Sequence, residues 1–368
     1  TKYSAAIEGQ GAGMFHGGAT YNINAMVNVP LIKDKLAARF IYYRTSTDGW
    51  INNPSLGTRD VNATRTDGGR FLLRFTPVHF LTMDFSTSQS MQNGGPSWWF
   101  PSAGEYISRD KARLAFSDRL SVYSLTTHIN LGSWVQFTHV ASYQNRNLFQ
   151  TRDASYLFNT VHAYYPNPAL YWQPQSLEDV TNEFRLQSTQ RSPVTWTLGG
   201  YIENRRSDLL SQAHILNSNG TERSPRTIGL SRTVGDILLQ QALFAEATYS
   251  PIRKLSLTGG IRYYNYTKTV SGETTVGLPQ LGTSVSPHQS WRTENSGLLY
   301  KVNLAYQFTN NIMSYFQVAT GFRPGGVNQG IGLATALPYL PDKLTTYELG
   351  FKGSFFHHRL IVDLAAYR

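Results

Sequence analysis

The sequence contains no cysteine. Disulfide staples, thiolate metal clusters and thiol catalysis are therefore excluded. Nowhere does it hold a run of about 18 apolar residues, so no membrane-spanning helix is expected. Blocks of lysine and arginine are also missing. The net charge of +10 is scattered along the chain, unlike a nucleic-acid-binding arm. Scattered arginines suit an anionic lipopolysaccharide surface and an anionic ligand equally. There is no Gly-x-Ser-x-Gly elbow, phosphate-binding loop or dinucleotide fingerprint. With no Ser/His or Asp/His constellation located either, no enzyme activity, catalytic residue or cofactor is expected. His357 and His358 are adjacent and would point to opposite faces of a strand. That makes them a poor metal pair, and no metal site is expected. Thr1 opens the chain without a visible signal peptide, which points to sequence lying upstream.

What the chain does have is alternation. In 240–270, two long arms flank a turn at Ser250, Pro251, Ile252, Arg253 and Lys254. On the second arm Leu255, Leu257, Gly259, Ile261 and Tyr263 share one face, while Ser256, Thr258, Gly260, Arg262 and Tyr264 share the other. Side chains alternate along a strand, so one face is apolar and the other polar. Each arm exceeds the usual five or six residues of a soluble strand and meets the roughly 9–11 of a tilted transmembrane one. Leu81, Met83 and Phe85 alternate with Thr82, Asp84 and Ser86 in the same way. In 133–147 the pattern weakens, because Val135, Phe137 and His139 share a face.

Short turns at 30–35, 76–79, 130–133, 190–193, 250–254, 309–311 and 356–359 recur at intervals of roughly 45–60 residues, an array signature. Fifteen strands are expected, near 2–10, 19–29, 35–46, 67–76, 79–91, 118–130, 133–147, 178–190, 194–208, 234–250, 254–270, 293–309, 311–321, 342–355 and 358–368. Long loops at 47–66, 92–117, 148–177, 209–233, 271–292 and 322–341 hold most of the proline and glycine. Short turns on one rim and long loops on the other describe an outer-membrane barrel. Tyrosine (22) and phenylalanine (19) are plentiful, as interfacial girdles require, although a soluble carbohydrate-binding β protein would share that excess. The expected fold is all-β: a transmembrane antiparallel up-and-down barrel in one domain, 1–368, with no helix. An odd strand count leaves an unpaired edge, so this barrel is expected to be incomplete.

Several motifs carry a likeness. Gly321-Phe322-Arg323-Pro324-Gly325-Gly326-Val327-Asn328, Tyr347-Glu348-Leu349-Gly350-Phe351-Lys352-Gly353, Glu183-Phe184-Arg185-Leu186-Gln187-Ser188, Leu198-Gly199-Gly200-Tyr201 and Phe244-Ala245-Glu246-Ala247-Thr248-Tyr249 occur in order. Together with Gly259-Gly260-Ile261-Arg262-Tyr263, they resemble the barrel of TonB-dependent outer-membrane receptors over essentially the whole chain. The resemblance implies about 22 strands around a plugged lumen, of which this chain holds about fifteen. It also implies TonB-coupled uptake of a scarce ligand, such as a ferric siderophore, across the outer membrane of a Gram-negative bacterium. Its expected partners are TonB, reached through a missing N-terminal region, the ligand, and outer-membrane lipid with lipopolysaccharide; no nucleic acid is expected. A passive porin is the alternative, and an outer-membrane enzyme or soluble propeller is a third class.

Two aromatic clusters are candidates for ligand stacking: Trp98, Trp99 and Phe100, and Tyr164, Tyr165, Tyr171 and Trp172. Aromatic platforms suit planar or sugar-like ligands, yet rim aromatics also form girdles. Arg223, Arg226 and Arg232 could hold an anionic ligand or simply be solvated. Glu183, Arg185, Glu246, Arg262, Lys301, Glu348 and Lys352 are expected on the lumen side, paired with one another or with a plug, because a charge on the lipid face is costly. Arg323 is a candidate plug contact at a strand end.

Overall fold

Each tight turn with two alternating arms forms a hairpin, and hairpins laid side by side satisfy every backbone donor without water. The computed structural model describes residues 2–95, 104–160, 166–189, 192–328 and 337–368. Its first strands are β1 (Ser4–Gly13), β2 (Ala19–Ile32), β3 (Leu36–Thr47), β4 (Thr64–Val78), β5 (Leu81–Gly94) and β6 (Phe116–Leu131). Next come β7 (Val135–Asp153), β8 (Ala169–Ser188), β9 (Val194–Leu216), β10 (Glu222–Ile252), β11 (Leu255–Val276) and β12 (Ser286–Thr309). The last are β13 (Ile312–Arg323), β14 (Gly326–Asn328), β15 (Leu337–Tyr339), β16 (Asp342–Phe355) and β17 (Leu360–Tyr367). Fifteen strands form one antiparallel sheet in chain order, and β14 and β15 make a separate small hairpin. β1 and β17 lie at opposite ends of the sheet and do not pair with each other. The fold is an incomplete transmembrane up-and-down barrel.

The outer face carries an apolar band. Leu243, Ile261 and Val302, on the successive strands β10, β11 and β12, are 69%, 56% and 55% exposed. In water such exposure would be costly; in hydrocarbon it is what a spanning strand needs. Tyr123 and Tyr143 stack at 6.2 Å near the upper edge of the band. The weak alternation of β7 has a local explanation. His139 faces lipid, lies flat on Phe184 at 4.5 Å, and donates through Nε2 to Asn182 Oδ1 at 3.1 Å. The polar ring is thus supplied with a partner inside the band.

The inner face is polar, and aromatic rings cover glycines on it. Tyr43, Phe244, Tyr264 and Tyr315 pair directly with Gly68, Gly199, Gly297 and Gly350. A Cβ would fall 2.2, 2.1 and 2.1 Å from the ring at Gly68, Gly199 and Gly350, and 2.6 Å from the Tyr264 hydroxyl at Gly297. Only glycine allows such close approach.

On the long-loop side the structure corrects the expected boundaries. Segment 209–233 is mostly strand, because β9 runs to Leu216 and β10, 31 residues long, begins at Glu222. β11 and β12 likewise extend into 271–292, and β7 and β8 into 148–177. Above the lipid both strand faces meet water, so the alternation that marks a strand disappears. The expected absence of helix is also corrected: α1 (Ser155–Phe158) forms one turn. Its Phe158 is fully buried with Ala169, Ala213, Ile215, Leu230 and Leu278. This small apolar core sits among the extended strand ends and holds them together outside the membrane.

Candidate functional site

The inner wall and the loop at its mouth gather most of the charged candidates. Glu246 on β10 and Lys301 on β12 lie on either side of Gly260 on β11. With no side chain between them, Lys301 Nζ reaches Glu246 Oε2 at 3.0 Å. Glu183 pairs with Arg185 two residues along the same face. Lys352 pairs with Asp363 at 3.2 Å, and the Tyr315 hydroxyl donates to Glu348. Arg262 lies over the Tyr201 and Phe244 rings, 5.2 and 5.8 Å from their centroids. Higher on the wall Asp236 bridges Arg205 (3.9 Å) and Lys268 (3.1 Å). Sequence reasoning missed that trio, because only the register brings β9, β10 and β11 into line.

β13 leaves β12 near the mouth. After Ala319 the paired register stops, and Thr320 Oγ1 takes over: it accepts from Tyr300 N at 2.7 Å and donates to Tyr300 O at 3.1 Å. Freed from the wall, Phe322 stacks on Tyr264 with centroids 3.6 Å apart and lies 6.0 Å from Tyr266. Gly325 N donates to the Tyr266 hydroxyl at 2.8 Å, and Lys268 Nζ sits 6.0 Å above Tyr339. The glycine-rich run thus pins the β14–β15 hairpin to the inner wall. Arg323 itself is exposed and pairs in register with Asp342. Phe322→Ala should weaken this anchoring by about 1–2 kcal/mol, the scale of a partly buried aromatic contact. Hydrogen exchange should accelerate in 322–328 and 337–342, with the rest of the wall unchanged.

Tyr171 and Trp172 are neighbours on β8, not on a loop, and they point opposite ways. Tyr171 packs edge-on against Phe158 at 6.2 Å. Trp172 stacks on His214 at 5.8 Å and meets Phe149 edge-on at 5.8 Å. They cannot form one platform. Trp98, Trp99, Phe100, Tyr164 and Tyr165 lie outside the described residues. Arg223 and Arg226 sit at the β9–β10 tip. Arg223 Nε donates to Leu216 O at 3.0 Å, and Arg226 Nε to Glu222 Oε2 at 2.7 Å. Glu222 also meets buried His214 at 3.1 Å. Burial works against the Glu222 carboxylate, but the His214 and Arg226 contacts outweigh it and hold it below the usual range.

The loops at 48–63 and 104–115 clasp each other. Asn53 Nδ2 donates to Asp110 O at 2.8 Å, and the Ser108 hydroxyl donates to the buried Asp110 carboxylate. Burial raises Asp110, Ser108 offsets part of this, and the Asp153 charge adds to the rise. A carboxyl raised on folding favours the protonated form. The clasp should therefore be tightest below the ordinary carboxylate range and loosen as pH rises through the raised Asp110 value. Hydrogen exchange of 104–115 should follow that course, and Asp110→Asn should flatten it.

Such a wall, apolar outside, polar and charge-paired inside, with long strands on one rim and tight turns on the other, defines a large outer-membrane-type barrel. Residues 36–368 match the model of the TonB-dependent receptor-like β-barrel family, and the chain belongs to that family. Its fold is similar to that of the ferric yersiniabactin uptake receptor FyuA from Yersinia pestis, with a TM-score of 0.83 at 18% identity over 100% of this chain and 54% of that one. It also resembles the siderophore receptor PiuA from Acinetobacter baumannii: TM-score 0.73, 14% identity, 99% of this chain and 56% of that one. The ferric citrate transporter FecA gives a TM-score of 0.71 at 14% identity, over 99% and 50%. The chain thus spans about half the length of these receptors.

Proposed function

We propose that this wall belongs to an outer-membrane receptor that captures a scarce iron chelate of the ferric siderophore type and imports it with TonB-coupled energy. The carrying observation is the inner face: ion pairs and aromatic contacts line it along β8–β12, and a loop is pinned across its upper end. A surface of that kind suits a plug better than an open water channel. The similarity to a ferric yersiniabactin uptake receptor and a ferric citrate transporter supports the ligand class. In this reading Glu183, Arg185, Glu246, Arg262, Arg323 and Glu348 face the plug. Arg223, Arg226 and the aromatics of 96–103 and 161–165 serve outer recognition, Trp172 stands at its edge, and Tyr171 supports it from within. TonB, the iron chelate and the surrounding lipopolysaccharide are the partners.

The test is uptake of radiolabelled ferric siderophores by an iron-starved Gram-negative strain. The strain lacks its own receptors and expresses the full-length receptor, with and without TonB. Uptake that requires TonB supports the proposal. Uptake of small solutes that is unchanged without TonB would favour the passive channel.

A further inference from the structure

We propose that the wall holds a side entry for the hydrocarbon tail of an amphiphilic iron chelate, at a lap joint where β13 passes behind β12. From Ser286 to Tyr300, β12 pairs only with β11 among the described residues. β13 meanwhile stays in register with β16 as far as Arg323, with no shift. Its two faces therefore keep their identity along its length. Phe316 lies on its lipid-facing side and is 45% exposed, and Phe322 has the same parity further along the strand. Yet Phe322 stacks on Tyr264, on the inner wall. The outer side of β13 thus faces the inner side of its neighbours. Gly297, the β12 partner of Tyr264, makes room for this overlap because it has no side chain.

The height and the lining of the joint give it its chemistry. Every second residue of β12 from Phe308 to Leu298 is apolar and exposed, and Ser296, Glu294 and Arg292 continue the same face. Pairing with β13 ends beside Tyr300, so the joint opens at the upper limit of the band. There water can satisfy the free backbone groups of the β12 edge, and tails from the outer leaflet are within reach. Directly behind it, on an otherwise polar inner face, Leu238, Ala242, Tyr264 and Tyr266 form a buried apolar cluster, with Leu299 and Phe322 packed against it. Apolar surface therefore continues from Leu298 and Tyr300 outside to Leu299 and Phe322 inside. The Thr320 hydroxyl, bonded to Tyr300 N and O, closes the lower end. A fully polar chelate gains nothing from such a path. A chelate with a tail does, because its head can enter the lumen without drawing the tail through water.

This inference rests on the uptake reading above for its iron chelate. The experiment uses the full-length receptor in phosphatidylcholine vesicles and a ferric dodecanoyl hydroxamate with a photoreactive diazirine at the end of its tail. Labelled residues are mapped by mass spectrometry. Wild type should be labelled at Leu299, Phe322 or Tyr264 on the inner side as well as on the lipid face. Leu298→Glu places a charge at the outer lip and should cut inner labelling about tenfold, the effect of a modest barrier at the edge of the band. Phe322→Ala empties the slot and should raise inner labelling. Leu243→Glu is the control. Leu243 shares the outer face with Leu298, each in register with Tyr263, but it stands away from the joint, so inner labelling should not change. Labelling confined to the lipid face in both wild type and Phe322→Ala would overturn the joint. Inner labelling that Leu298→Glu leaves intact would mean entry through the mouth and overturn the side route. So would an equal loss in Leu243→Glu, which would trace the effect to charge in the band at large. The uptake assay above separates the two readings. TonB-independent uptake with inner labelling retained counts against the proposed function and leaves the joint standing, whereas TonB-dependent uptake with labelling only on the lipid face sinks the joint alone.

Discussion

Leu257→Lys is expected to destabilise the membrane-inserted wall by roughly 2–4 kcal/mol, the cost of a lysine facing the hydrocarbon interior. Leu257 lies on the lipid face of β11 with 41% of its surface exposed. Thr258, the next residue, faces the lumen and shares a 2.8 Å hydroxyl contact with Thr248. Thr258→Lys should cost only about 1 kcal/mol, the worth of that hydrogen bond, because the new ammonium stays in water. Unfolding of the full-length receptor from phospholipid vesicles by denaturant compares the two directly. Equal losses would mean that the faces of β11 are assigned the wrong way round.

Gly272→Ala, higher on the same strand, should cost about 3 kcal/mol. A Cβ there would lie 2.2 Å from the Thr233 carbonyl oxygen and 3.2 Å from its carbon. Both atoms belong to the backbone of β10, so no side chain can swing aside, and the two strands must part. Gly259 supplies the control. It lies on β11 within the lipid-facing band, and a Cβ there would meet nothing within 4 Å. Gly259→Ala should be neutral or slightly stabilising, since alanine restricts the unfolded chain. Hydrogen exchange across 231–236 and 269–276 should rise for Gly272→Ala alone. A neutral Gly272→Ala would show that β10 and β11 are not in close contact there.

The band and the tight turns were legible because a physical constraint writes them into the residues. Lipid on one side and water on the other force alternation, and a short turn needs residues such as the Ser250–Lys254 run. Above the band that constraint ends, and Thr227, Arg232, Glu273 and Arg292 look alike whether in strand or loop. The strand ends were accordingly misplaced there. For the inner wall, parity was readable and partners were not. Glu183 and Arg185 could be matched from spacing alone. Glu246 and Lys301 are 55 residues apart, and their contact depends on the register of three strands and on the missing side chain of Gly260. Phe322 carried no advance sign of its stacking on Tyr264, because β13 parts from β12 through the side chain of Thr320 rather than by a turn residue.

The order of the sheet has a consequence for assembly. Every strand of the wall bonds only to its neighbours in sequence, apart from the small excursion between β13 and β16. Entropic penalties for joining distant parts of the chain are therefore small until the ring shuts. Hairpins can be laid down one after another, each using the previous strand as its template, and a tight turn holds the register of each new pair. The same logic lets circumference vary by whole hairpins. Adding or removing two consecutive strands alters the width of the pore but leaves the remaining cross-strand partners in place.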